Sequence, residues 1–161
     1  MANVNRGKDF EIRVRDGFAK VRGVSIDRLH DQTNGYLGSS NICDFIVYKN
    51  PNEYYIECKS HYGKYLPFDC ITKKQWLGLL EKSKINGVIA GVMVWFIDYD
   101  VTAFVPIQWL EELRKQGKKS IKYTDVINDN EHYFEIEGSK KKVFFNYDMS
   151  SFLRDYWGYE E

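Results

Sequence analysis

Residues 42–60 read ICDFIVYKNPNEYYIECKS, and their alternation decides the fold. Two runs rich in β-branched and aromatic residues, Ile42 to Tyr48 and Glu53 to Ser60, are joined through Lys49-Asn50-Pro51-Asn52, a turn composition, so the stretch reads as a β-hairpin. With the turn centred between Asn50 and Pro51 and no bulge at the proline, Lys49 faces Asn52, Tyr48 faces Glu53, and the pairing runs on to Asp44 opposite Glu57. Facing Cβ atoms in such a ladder lie roughly 5 Å apart. Alternate strand residues share a face, which adds Lys59 beside the two carboxylates. The opposite face, Cys43, Phe45, Val47, Tyr54, Ile56 and Cys58, is apolar and belongs to the core, with Cys43 and Cys58 facing each other as free thiols.

Outward from the hairpin, Phe10, Val14, Phe18 and Val21 recur at helical spacing and predict a helix over about residues 6–22, ending near Gly23. Val24 to Leu29 alternates like a strand, and His30 to Asn41 is a polar, glycine-containing loop. Beyond the hairpin, a loop with Gly63 and Pro67 leads to Thr72-Lys73-Lys74-Gln75, which has the spacing of a capping box and opens a helix carrying Trp76, Leu79 and Leu80. Gly87 to Ile97 and Thr102 to Val105 read as strands, and Ile107 to Gln116 as a helix. Short strands follow around Tyr133–Glu137 and Val143–Tyr147, with Gly138-Ser139 turning between them, then a helix around Met149–Trp157. This order predicts an α/β chain bordering on α+β, a mixed central sheet flanked by helices. The 161 residues suit one domain, with a core over about residues 5–125 and a small α/β tail over about 126–161.

Composition excludes several classes. Apolar residues make up 43% of the chain, which is ordinary globular usage and rules out disorder and fibrous repeats. The longest apolar run, Gly87 to Ile97, falls well short of the ~20 residues of a membrane helix, and MANVNRGKDFE has no apolar signal region. Three cysteines without a CxxC pair point to a reducing compartment, and the expected location is the cytoplasm. Charge is balanced, 23 basic against 23 acidic residues. Lysines nevertheless gather at 59, 64, 73, 74, 82 and 84, and again over 114–122, as local basic surface or as plain solvated faces.

Two carboxylates facing each other on a strand pair repel, and each raises the other's pKa; a cation relieves both effects. Hard oxygen ligands with vacant positions suit Mg²⁺, with Mn²⁺ as a substitute, bound through one or two carboxylates, water and a phosphate. Lys59 beside that ion is placed to orient a water or to offset charge on a phosphoryl oxygen. The same pattern also fits an exposed salt-bridge cluster on a solvated strand. Glu11 sits at the edge of the first helix's apolar stripe, and Gln75 is complete as a helix cap without any role in a site. Arg6 and Lys8 stand at a helix N-terminus, where backbone N–H groups add to a phosphate contact.

Asp44 followed by Glu57-Cys58-Lys59 resembles the signature of the PD-(D/E)xK nuclease superfamily, with Cys43 where a proline usually precedes the first acid. Gly7-Lys8-Asp9-Phe10-Glu11, Gln75, Phe104-Val105-Pro106, Lys119-Ser120-Ile121 and Asn146-Tyr147-Asp148 are similar to RecU-like Holliday-junction resolvases, so the resemblance covers nearly the whole chain. It implies a restriction-endonuclease-like fold and a Mg²⁺-dependent endodeoxyribonuclease acting in recombination and repair. Four-way junctions would be cut to 5′-phosphate and 3′-hydroxyl ends by a homodimer. It also implies metal ligation by Asp44 and Glu57, helped by Glu11 and Gln75, with Lys59 catalytic; Arg6 and Lys8, from their helix N-terminus, and Lys73 and Lys74, from their basic segment, are the expected DNA contacts. RecU-type enzymes carry a long stalk where this chain has only His30 to Asn41, the kind of short version a bacteriophage would encode. A flap, fork or linear-DNA nuclease and a non-catalytic nucleic-acid binder remain the alternatives.

Overall fold

The computed structural model describes residues 5–30, 41–141, 144–156 and 158, with side chains of 139–146 left aside. The expected loop at 30–41 therefore falls almost wholly outside the described residues. Helix α1 (Arg6–Ala19) is capped by Asn5, whose side chain accepts from the Lys8 N–H. Strands β1 (Ser25–Arg28), β2 (Phe45–Lys49) and β3 (Asn52–His61) form an antiparallel unit. A short strand β4 (Tyr65–Pro67) and a 3-10 turn lead into helix α2 (Lys73–Ser83). After strands β5 (Val88–Phe96) and β6 (Val101–Pro106) come helix α3 (Ile107–Lys115), strand β7 (Ser120–Lys122) and helix α4 (Tyr123–Asn128). Strands β8 (Phe134–Glu135), β9 (Gly138–Lys141) and β10 (Phe144–Tyr147) and helix α5 (Met149–Asp155) complete the order.

The main sheet has six strands in the order β1-β2-β3-β5-β6-β8. β3 and β5 are parallel, as a crossover through α2 requires, and the other pairs are antiparallel. Two layers of helices cover it. α1 and α5 pack Phe10, Val14, Phe18 and Phe152 against Phe45, Val47, Tyr54, Ile56 and Met93. On the other face α2, α3 and α4 pack Trp76, Leu79, Leu110 and Val126 against Val92, Val94 and Val105. Burial on both faces explains the unbroken apolar run of β5. Gly91 within it is required by close approach, since a Cβ there would run into the Val105 carbonyl and the Phe104 ring.

The hairpin has the expected turn: Lys49 pairs with Asn52 across Asn50-Pro51, whose peptide bond is cis, and the register continues regularly to Phe45 opposite Ile56. There it changes. The Asp44 N–H also donates to the Ile56 carbonyl (3.1 Å), so two residues answer to one, the arrangement of a β-bulge. Asp44 is therefore not directly opposite Glu57. A slip of one residue exchanges the faces of a strand, and Cys43 correspondingly lies in the core under α2, while Cys58 lies in the core under α1. The expected facing of the two thiols is corrected on this ground. The bulge sits beside Asp44, not at Pro51.

Two further elements differ from the sequence reading. β4 and β7 form a separate antiparallel ribbon where only loop was expected. Gly138 and Ser139 begin β9 and pair with Tyr147 and Asn146, so they do not turn the chain. β8 pairs with β6 as the outer strand of the main sheet, and Phe152 of α5 packs on Tyr54, Phe104 and Phe134.

Candidate active site

Strand β3 carries Glu57 onto the α2 face of the sheet, where it is only 3% exposed. Two donors meet on its Oε2: the Gln75 Nε2 at 2.7 Å and the Lys59 Nζ at 3.1 Å. Asp44 lies within hydrogen-bond reach of Glu57 as well. Burial, followed by the Asp44 charge, pushes the Glu57 carboxyl up to about 8, and Lys59 pulls in the other direction. Asp44 owes its position to the bulge. Its Oδ2 accepts the Cys58 N–H (2.9 Å), taking the place of a strand carbonyl, and its Oδ1 lies 3.5 Å from Arg28 Nη1.

Gln75 serves as cap and as site residue at once, through the two ends of its amide. Its Oε1 accepts the Thr72 N–H (3.0 Å) to close the capping box while its Nε2 reaches Glu57. The cap fixes which end of the amide faces the site, so Gln75 meets Glu57 as a donor, with its oxygen already engaged. Helix α2 can come this close because residue 78 is glycine: a Cβ there would collide with Ile42, two residues before Asp44.

Glu11 projects from α1 toward β1 and is held by Arg28, whose Nη2 donates to Glu11 Oε2 at 2.7 Å. Arg28 thus joins Glu11 to Asp44, with its guanidinium 5.5 Å from the Phe45 ring centroid. Sequence reasoning passes over Arg28, because the register of β1 on β2 follows a long connection and cannot be counted from a turn. The only available signal is an arginine on a strand expected to neighbour Asp44. Arg6 and Lys8 lie in the first turn of α1, where a Cβ on Gly7 would stand 3.8 Å from the hydroxyl of Ser60, the neighbour of Lys59. Lys73 and Lys74 are exposed in the first turn of α2, next to Gln75. Of the nine residues singled out from sequence, Glu57, Lys59 and Gln75 meet directly, Asp44 and Glu11 are joined by Arg28, and Arg6, Lys8, Lys73 and Lys74 stand in the first turns of α1 and α2.

Among the described residues no group of three or more His, Cys, Asp or Glu side chains is assembled for a metal. Asp44 and Glu57 form a pair, and Glu11 is engaged by Arg28. The pair fits a hard divalent cation all the same. Two crowded carboxylates, one of them held largely protonated by burial and by its neighbour, are relieved by a cation that takes few protein oxygens and keeps positions for water and phosphate.

The family model for Recombination protein U matches residues 19–148, which include Asp44, Glu57, Lys59 and Gln75 but not Glu11. Among solved structures, Archaeoglobus fulgidus Hjc, a Holliday junction resolvase from an archaeal hyperthermophile, aligns with a TM-score of 0.50 at 18% identity, over 75% of this chain and 89% of that one. That likeness is one of fold. Comparison with curated proteins returns no match.

Proposed function

The chain belongs to the Recombination protein U family, and from that premise we propose that it is a divalent-metal-dependent endodeoxyribonuclease that resolves four-way DNA junctions. The carrying observation is the buried Glu57 carboxylate, set against Asp44 and sharing one oxygen with Lys59 and Gln75. Asp44 and Glu57 hold the cation, Mg²⁺ or Mn²⁺, with Glu11 behind Arg28 as the third carboxylate. When bound, the cation neutralises charge on the phosphoryl oxygens and lowers the pKa of water. Gln75 fixes the Glu57 side chain from the helix cap. Lys59 orients the attacking water and offsets charge on the phosphate. Water adds to phosphorus in line with the P–O3′ bond; that bond breaks, and one proton of the water ends on the 3′ oxygen, leaving a 5′-phosphate. Arg6, Lys8, Lys73 and Lys74 hold the flanking backbone. The working unit is a homodimer in the cytoplasm of a bacterium or of a phage-infected host. Among the described residues no helix is long and apolar enough to cross a membrane.

A cleavage panel of junction, fork, flap and duplex DNA with Mg²⁺, Mn²⁺ or EDTA tests this reading. Junction cutting should require metal and should vanish in Asp44→Ala and Glu57→Ala while junction binding persists. Metal-dependent cutting by both variants refutes the site. Equal cutting of linear duplex and junction refutes the resolvase assignment and leaves a general nuclease. No metal binding by the pure protein would leave only a nucleic-acid binder.

A further inference from the structure

The β4–β7 ribbon has no part in the site described above, yet its surface is unusual for a chain of balanced charge. Tyr65 pairs with Lys122, Leu66 with Ile121 and Pro67 with Ser120. Leu66 and Ile121 are buried, so Tyr65, Pro67, Ser120 and Lys122 form the outer face. Lys64 immediately precedes β4, and its carbonyl accepts the Tyr123 N–H (3.0 Å); Lys118 and Lys119 immediately precede β7. Arg13, Arg28 and Arg114 each find a carboxylate, whereas Lys64, Lys118, Lys119 and Lys122 form no ion pair among the described residues. Asp125 and Asp129 line the same cleft as Lys118 and Lys122, with Asp129 held by His132 (2.7 Å) and the other acids beside the ribbon engaged by backbone groups. Asp98 accepts the Gly63 N–H (2.6 Å), and Asp125 accepts the Lys122 N–H (2.9 Å). Four ammonium groups without acidic partners on one short ribbon repel one another and attract a polyanion.

The ribbon also lies where the DNA should pass. The Phe68 N–H donates to the Lys119 carbonyl (2.9 Å), which ties the ribbon to the 3-10 turn Phe68–Cys70 leading into α2 and Gln75. From that turn to Tyr65 and Lys122 is three residues, or roughly 10 Å of strand. Tyr62 and Tyr65, 58% and 51% exposed, follow the same path, and the Lys122 ammonium lies 5.7 Å from the centre of the Tyr65 ring. Exposed rings beside unpaired lysines make a stacking platform for bases that have left the duplex stack.

We propose that the β4–β7 ribbon is a second DNA-contacting surface, separate from the Arg6/Lys8 and Lys73/Lys74 edges. Lys64, Lys118, Lys119 and Lys122 take backbone phosphates of the arm leaving the cleavage point, and Tyr65 carries a base unstacked at the branch. The proposal rests on the reading that the protein acts on branched DNA.

The test measures binding of the full chain to a labelled four-way junction and a matched duplex in EDTA, by fluorescence anisotropy across a salt series. Lys119→Ala combined with Lys122→Ala should lower the slope of log affinity against log salt by about two. Lys84→Ala, at the far end of α2, should leave it unchanged. Tyr65→Ala should narrow the preference for junction over duplex without changing the slope. Thermal melting checks folding, and Lys64→Ala with Lys118→Ala, both fully on the surface, repeats the test if the first pair does not fold. If folded variants keep the wild-type slope while wild type binds the junction, the ribbon is a solvated face and the proposal is wrong, with the nuclease reading intact. A wild-type protein that neither binds nor cuts a junction overturns that reading and this proposal with it.

Discussion

Glu57 is buried at an energetic cost that a cation removes, and this gives its neighbours distinct signatures. Lys59→Ala should slow junction cutting by roughly two orders of magnitude or more, the scale of losing one preorganised electrostatic stabiliser. Metal affinity should change little, since an ammonium is no ligand; calorimetry showing metal binding lost along with activity would make Lys59 structural. The pH dependence follows from Glu57 itself. Its folded pKa is raised to about 8 from an ordinary 4.5, so its contribution to stability is complete below pH 4.5 and is lost as pH rises toward 8. In EDTA, the melting temperature should fall across that window, Glu57→Gln should flatten the fall, and Mg²⁺ should restore stability near pH 8 by binding the folded state alone. A slope identical in wild type and Glu57→Gln would place the titration elsewhere. Glu57 and Lys59 are legible in sequence because a two-residue turn allows pairing to be counted from one strand to the next, and Asp44 is legible as their neighbour though not in its register. Arg28 is not legible, because counting stops at a long connection.

At the level of elements, the same counting succeeds over β2 and β3 and then fails by one residue at Asp44, since alternation carries no mark of a bulge. That residue aims the carboxylate at the Cys58 N–H and moves Cys43 to the opposite face. Helix α2 was legible at its start, where Thr72 and Gln75 have capping-box spacing, but the reach of Gln75 to Glu57 depends on how closely the helix packs, and that depends on Gly78. Thr72→Ala should cost about 1 kcal/mol of stability through the lost cap, measured by urea denaturation. Cutting should change little in Thr72→Ala, because the bond that orients the Gln75 amide comes from the Thr72 backbone N–H, which alanine keeps, whereas Gln75→Ala should reduce it; equal losses in the two variants would show that the Thr72 hydroxyl holds Gln75. β4 and β7 escape sequence reading for a plain reason: three residues are too few to display a period.

For the whole molecule, one copy offers one carboxylate site, whereas a four-way junction needs paired cuts in two strands. A two-fold homodimer meets that need and is the commonest closed assembly. Light scattering at micromolar protein should return about twice the mass of the 19.0 kDa chain, and a monomer that still makes paired cuts would disprove the requirement. The six-strand layout was foreseeable as a mixed sheet with helices on both faces, because α and β periodicities alternate along the chain. The edge position of β8 was not, as two residues carry no pattern. The sheet order has a consequence for a chain being synthesised. Every reacting group proposed, from Glu11 to Gln75, precedes Val88, yet β3 acquires its parallel neighbour only when β5 arrives, and the sheet its outer strand beside β6 only with β8. A nascent chain emerging from the ribosome would thus carry the full set of nuclease side chains well before it has the sheet that holds them, and cutting power would appear late, with the closing of the fold.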